Sequence, residues 1–165
     1  MTSSRVLLTG VALLLGASLL QAQSASIAAT ATVVTPITVT GTAPLAFGTV
    51  FQGVNRTIAF SDLTSGRFTL TGNAASQVAL TFTLPATLSS GANTLPINTY
   101  DVRVNGTNVT AGATALVVTS GVPVNSNFVG GNLFVFVGGR VQPAVAQAQG
   151  SYTGSIVLAA AYTGL

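Results

Sequence analysis

The chain reads as an all-β protein, an immunoglobulin-like β-sandwich of about eight to ten antiparallel strands, on the strength of three observations. Past residue 22, period-two alternation of apolar and polar residues recurs throughout, and helical periodicity never lasts beyond a turn or two. The runs are short and rich in Thr and Val. The whole chain carries 18 Gly and 6 Pro, the residues that turn a chain between strands.

Taken in order, the first candidate strand covers 27–34, with Ile27, Ala29, Ala31 and Val33 on one face and Ala28, Thr30 and Thr32 on the other. Candidates at 37–40, 45–51 and 57–60 follow. Phe68 and Leu70 then alternate with Thr69 and Thr71 before Gly72. The clearest run is 77–84: Val78, Leu80, Phe82 and Leu84 share one face, Ala79, Thr81 and Thr83 the other, and Pro85 ends it. Residues 85–96 are the most irregular stretch, with Ser89-Ser90-Gly91 as a loop tip. Tyr100, Val102 and Val104 alternate with Asp101 and Arg103, and Asn105-Gly106 predicts a type I′ turn into a partner strand at 107–111. A further strand is expected at 114–119, and 120–131 reads as a loop. Residues 133–137 are apolar on both faces, uncharged until Arg140, and bracketed by Gly130-Gly131 and Gly138-Gly139. Such a strand is expected at the centre of a sheet, since exposed it would aggregate. The last strand is 155–163.

Residues 1–22 read as a secretory signal peptide for export by the Sec route. Arg5 and the amino terminus supply the charged start, the apolar stretch from Val6 to Leu20 follows, and small residues mark cleavage after Ala22. The apolar stretch is shorter than the roughly 20 residues that cross a bilayer. The membrane therefore enters only through the signal peptide during export, and residues 23–165 are expected to form a single domain in the periplasm, outside the cell or at the cell surface.

Composition narrows the chemistry. The chain has five Arg and two Asp but no Lys, Glu, His, Cys or Trp, and only 4% charged residues against about 25% in ordinary soluble domains. Without His, Lys, Glu or Cys no base stands ready to activate a hydroxyl nucleophile, so an enzyme is not expected. Gly150-Ser151-Tyr152-Thr153-Gly154 has the glycine spacing of a nucleophile elbow but a Tyr at its centre, and reads as a turn into the last strand. Asp62 is read as a turn former and Asp101 as an outward strand residue beside Arg103, so a paired-carboxylate mechanism is not expected either. No catalytic, cofactor-binding or metal-binding residue is assigned, and no cofactor. The Arg residues are scattered singly without interleaved aromatics, which argues against nucleic acid as a partner. Asn55, Asn105 and Asn108 open N-glycosylation tripeptides, and Tyr100, Tyr152 and Tyr162 are expected to pack beside strands.

The landmarks also fall in a recognisable order: Ala29-Thr30-Ala31-Thr32-Val33-Val34-Thr35-Pro36-Ile37, then Leu45-Ala46-Phe47-Gly48-Thr49-Val50, then Gly138-Gly139-Arg140-Val141, and last Gly150-Ser151-Tyr152-Thr153-Gly154 leading to Tyr162. This order resembles the bacterial secreted family called domain of unknown function 4402, over essentially all of 23–165. The resemblance implies an exported immunoglobulin-like sandwich similar in texture to pilus subunits and surface adhesins. It implies no activity and no catalytic residues. The closing segment is also similar to the terminal strand of chaperone-usher pilins.

The function expected is a non-enzymatic structural or adhesive surface protein, pilin-like, whose partners are other copies of itself through strand pairing or another cell-surface protein. The segment from Ser26 to Val34 bears on this directly. It is read first as the opening strand of its own sandwich, since about ten strands complete one, and second as a strand donated to a neighbour's sheet edge. The alternatives are a soluble secreted binding module for a glycan or another surface protein, with specificity in 85–96 and 120–131, and a small outer-membrane β-barrel.

Overall fold

The computed structural model describes residues 23–164, so the signal segment expected at 1–22 lies outside the described residues. Residues 23–31 carry no helix or strand, and the compact unit begins at Thr32. It contains ten strands: β1 (Thr38–Ala43), β2 (Arg56–Ile58), β3 (Gly66–Thr71), β4 (Gln77–Thr83), β5 (Thr87–Ser90), β6 (Asn93–Asn105), β7 (Thr114–Leu116), β8 (Pro123–Asn127), β9 (Asn132–Val141) and β10 (Val157–Tyr162). The larger sheet has seven strands in the order β1-β3-β9-β6-β5, with β2 beside β9 and β7 beside β6; the smaller has the order β10-β4-β8. All pairings between these strands are antiparallel. The protein is all-β, a two-sheet sandwich.

The alternation read from the sequence explains how the layers meet. Val78, Leu80 and Phe82 of β4 and Leu158 of β10 turn inward from the small sheet. They pack on Leu70, Val102, Val104, Leu133, Val135 and Val137 of the large one, and Phe128 closes the end beyond β8. Neither sheet closes on itself and the space between them is filled with apolar side chains, so the architecture is not a small outer-membrane barrel.

The strand expected to be central is central: β9 pairs with β3, β6 and β2. Its outward face is covered by cations. Phe136 lies in register between Arg67 of β3 and Arg103 of β6, with the Arg67 guanidinium 5.4 Å above its ring, and is 1% exposed. Arg103 also stacks 4.5 Å over Phe60 and bonds Asp101 at 3.1 Å. Arginine stems thus hide the apolar outer face that would otherwise invite aggregation.

Several expectations are corrected. Residues 27–34 form no strand, and Ile27 and Val33 are 95% and 94% exposed. The alternation is present, but among the described residues no strand pairs with it. Residues 45–51 form a loop instead of a strand, because their apolar side chains serve as a plug: Phe47 is buried, and Gly48 takes φ +64° where a strand cannot continue. The tight hairpin at Asn105-Gly106 does not form, and β6 returns through a longer loop to β7. Residues 85–96, read as irregular, are mostly a β5–β6 hairpin whose tip is Gly91 at φ +58°. Residues 120–131 contain β8 and the core residue Phe128. Gly138-Gly139 do not bracket the central strand but lie within it.

One aromatic residue fastens the ends of the fold. The Tyr162 hydroxyl donates to the Thr35 carbonyl at 2.6 Å and accepts from the Asn73 amide, while its ring leans on Phe128 at 6.1 Å between centroids. Gly72 makes room for both side chains, since a Cβ there would lie 2.7 Å from the Phe128 ring and 2.7 Å from the Tyr162 hydroxyl oxygen.

Candidate functional site

The small sheet covers only part of the large one. The segment of β9 from Asn132 to Val137 and the later half of β6 lie under β4 and β10, whereas Val141 of β9, Leu95 and Ile97 of β6, and Ile58 of β2 form a second apolar cluster with Phe47. Loops take the place of the missing second layer there. Leu45 and Val50 approach from 44–54, and Tyr152 from the segment before β10. Between them remains a cleft of about 1020 Å³, lined among others by Phe68, Leu88, Leu95, Ile97, Val141 and Ile156.

The rim is fixed by hydrogen bonds. Thr153 and Ser89 exchange backbone bonds at 2.8 and 3.0 Å, holding the segment before β10 along β5. The Tyr152 hydroxyl donates to the Ala148 carbonyl at 2.7 Å and accepts from Gln147 Nε2, which also donates to the Thr94 carbonyl at 3.0 Å. Across the cleft, Gln52 Nε2 donates to the Gln147 carbonyl at 2.5 Å and the Gly53 amide to Ala144 at 3.0 Å. Gly150 and Gly154 permit this closeness: a Cβ on Gly150 would lie 2.5 Å from Ser90 Oγ, and one on Gly154 2.8 Å from Leu88 Cδ2. The elbow-like glycine spacing is therefore a packing requirement.

No residue lining the cleft is charged, and its rim offers only hydroxyls, amides and backbone. Such a surface can bind an uncharged apolar or extended partner, with backbone groups at the rim for hydrogen bonds. Beneath it Tyr100 donates from its hydroxyl to the Pro85 carbonyl at 2.7 Å, and burial pushes its pKa up to about 12 from 10. The folded state thus favours the protonated phenol. Its contribution to stability is whole below pH 10 and is lost as pH rises from 10 through 12. Thermal melts at pH 9 and pH 11.5 are expected to show a loss of stability that Tyr100→Phe reduces.

The two carboxylates have separate duties. Asp62 accepts from the Ala59 amide at 2.9 Å inside a turn, as the sequence suggested, and Asp101 pairs with Arg103 on the outer face of the large sheet. Asn105, first of the second glycosylation tripeptide, spends its side-chain amide on the carbonyls of Val109 and Ala111 at 2.9 and 3.1 Å. Tyr100, Tyr152 and Tyr162 each hold a backbone carbonyl. Of the two stretches expected to carry specificity, 85–96 contributes Pro85, Leu88 and Leu95 to the cleft, and 120–131 contributes nothing to it.

Sequence reasoning missed the cleft itself. The signal was present in the apolar 45–51 run and the glycine pair at 150 and 154, but which layer they covered depended on pairings that span the chain. No protein-family model matches the chain, and the search of curated proteins likewise found no match.

Proposed function

We propose that this chain is a non-enzymatic exported surface protein of structural or adhesive kind, a pilus-like filament subunit that works through strand pairing and belongs with the immunoglobulin-like secreted domains it resembles. The observation that carries this reading is the position of β10 at the edge of the small sheet. Among the described residues, Val157–Tyr162 pair with β4 on one side and with no strand on the other, and the strand contains no charge, proline or bulge. Soluble monomers usually protect such edges, so an unprotected one is suited to receiving another strand. The scarcity of charge and of acid–base side chains fits a protein whose work is done by shape and backbone. Export through a signal peptide at 1–22 accounts for the apolar start of the chain.

A second reading, a soluble secreted module that binds a glycan or another surface protein, draws support from the hydroxyl and amide rim of the cleft. Electron microscopy of the sheared surface fraction and culture supernatant, labelled with an antibody to 23–165, separates the two. Labelled filaments support the subunit. Soluble label without filaments favours the binding module, and label confined to the cytoplasm contradicts both.

A further inference from the structure

We propose that the outer face of the large sheet binds an acidic polysaccharide, with Arg67 and Arg103 taking its carboxylates and Phe134 and Thr69 taking its sugar rings. The site goes beyond the filament reading, because it lies on the side of the large sheet turned away from the small one. Past residue 22 the arginines stand singly at 56, 67, 103 and 140, yet strand pairing gathers three of them on this face. Side chains alternate across a strand, so Phe134, Phe136 and Arg140 of β9 point outward while Leu133, Val135 and Val137 enter the core. Arg67 of β3 and Arg103 of β6 are the register partners of Phe136, one on each side, which sets their Cα atoms about 10 Å apart. Arg140 is two outward positions further along, beyond the place where the backbone of residues 58–60 covers Gly138.

The two guanidinium groups are held in place and still have donors to offer. Arg67 is fixed 5.4 Å from the centre of the Phe136 ring and Arg103 4.5 Å from that of Phe60. A guanidinium held over a ring keeps its N–H groups for a second partner, and its fork matches the two oxygens of a carboxylate. Asp101 takes Nε of Arg103 at 3.1 Å, the one ion pair among the described residues. Asp62 is committed to the Ala59 amide. Three arginines against Asp101 leave the face positive.

The neighbouring row sets the class of anion. There Phe134 lies between Thr69 of β3 and Asn105 of β6, with Thr40 of β1 beyond Thr69. Phe134 and Thr69 are partly exposed and Thr40 is exposed. A ring face attracts the polarised C–H groups of a sugar, and threonine hydroxyls both donate to and accept from sugar hydroxyls. A row of cations beside a row of ring and hydroxyls suits a chain of uronic acids, which carries a carboxylate on every ring. Nucleic acid is suited less: Phe136, the ring between the two arginines, is 1% exposed and offers no base a stacking surface.

The test uses the protein purified from the cells that produce it, with polygalacturonate as the probe, dextran as its uncharged counterpart and a single-stranded deoxyoligonucleotide as a different polyanion. Calorimetric titration at low salt is expected to show binding of polygalacturonate, none of dextran, and binding of the oligonucleotide about tenfold weaker or less. Arg67→Gln should weaken polygalacturonate binding about tenfold or more. Arg56→Gln, at a position whose register partner Val141 faces the interior, should leave it unchanged. Phe134→Ala should weaken polygalacturonate about fivefold and leave the oligonucleotide as it was. Thermal melts accompany each variant. Should Arg67→Gln lower the melt, Arg67→Lys keeps the charge and the stem over Phe136 but loses the fork, and is expected to weaken binding about threefold. Undiminished binding by a folded Arg67→Gln or Arg67→Lys protein would overturn the proposal. So would an oligonucleotide that binds as tightly as polygalacturonate, or an affinity that does not fall between about 0.05 M and about 0.5 M salt. Because these readings come from protein in solution, their failure leaves the filament reading to microscopy, and an absence of filaments leaves this site standing.

Discussion

Gly138→Val is expected to be the most damaging single substitution in the molecule. Gly138 lies in the middle of β9, and a Cβ there would come within 2.6 Å of the Ile58 carbonyl oxygen and 2.8 Å of the Phe60 amide nitrogen. These are backbone atoms that cannot swing aside. Ile58 is paired with Gly139, and the turn that follows is closed by the Asp62 carboxylate and by the Asp62 amide on the Ala59 carbonyl at 3.1 Å. On the other flank Gly138 is opposite Asp101 of β6. Either β2 leaves the sheet, uncovering Ile58 and the second core cluster, or β9 bends. The cost is about 3 kcal/mol or more, a large part of the stability of a single domain. A thermal melt should move down by roughly 10 °C. Gly91→Ala is the comparison, since it too is a glycine substitution but meets open space; at φ +58° it costs only about 1 kcal/mol.

Deleting residues 26–34 is expected to have the opposite profile, a full loss of assembly with little loss of stability. The segment adds no strand to either sheet, and Ile27 and Val33 are exposed. The melting temperature should therefore stay within the range of a surface change, about 0.5 kcal/mol. Sedimentation of the surface fraction should show no polymer. A deletion that unfolds the domain would restore the segment to its own sandwich, and polymer that persists would remove it from assembly.

The contrast between these two regions shows what was legible in the residues. Where a strand is buried on one face or both, as in β4, β9 and β10, the pattern of side chains is strict and the sequence states it openly. Strands β5 and β8 were not legible because Thr87, Ser89 and Ser90, or Asn125, Ser126 and Asn127, gain their conformation from a neighbour and not from an apolar face. The Asn105-Gly106 pair misled for a specific reason. Gly106 is small because Val129 packs against it, where a Cβ would lie 2.5 Å from Val129 Cβ, and Asn105 is polar because it ties down the following loop. The same two residues that make a type I′ turn elsewhere here serve a close contact. Residues 45–51 and 27–34 share a different lesson: both look like strands, yet one plugs a core and the other has no pairing partner among the described residues. Of the site, the uncharged chemistry could be read from composition, whereas the cleft arises from the long-range pairing of β6 with β9 and of Ser89 with Thr153.

The central claim is that a free strand edge is the working surface, and amide hydrogen exchange tests it most directly. Protein recovered from the cell surface without denaturation should be compared with the chain lacking 26–34. The account predicts that alternate amides of β10, those directed away from β4, exchange slowly in the assembled form and quickly in the deletion variant, while β9 is equally protected in both. Equal and rapid exchange along the β10 edge in the two forms would contradict it.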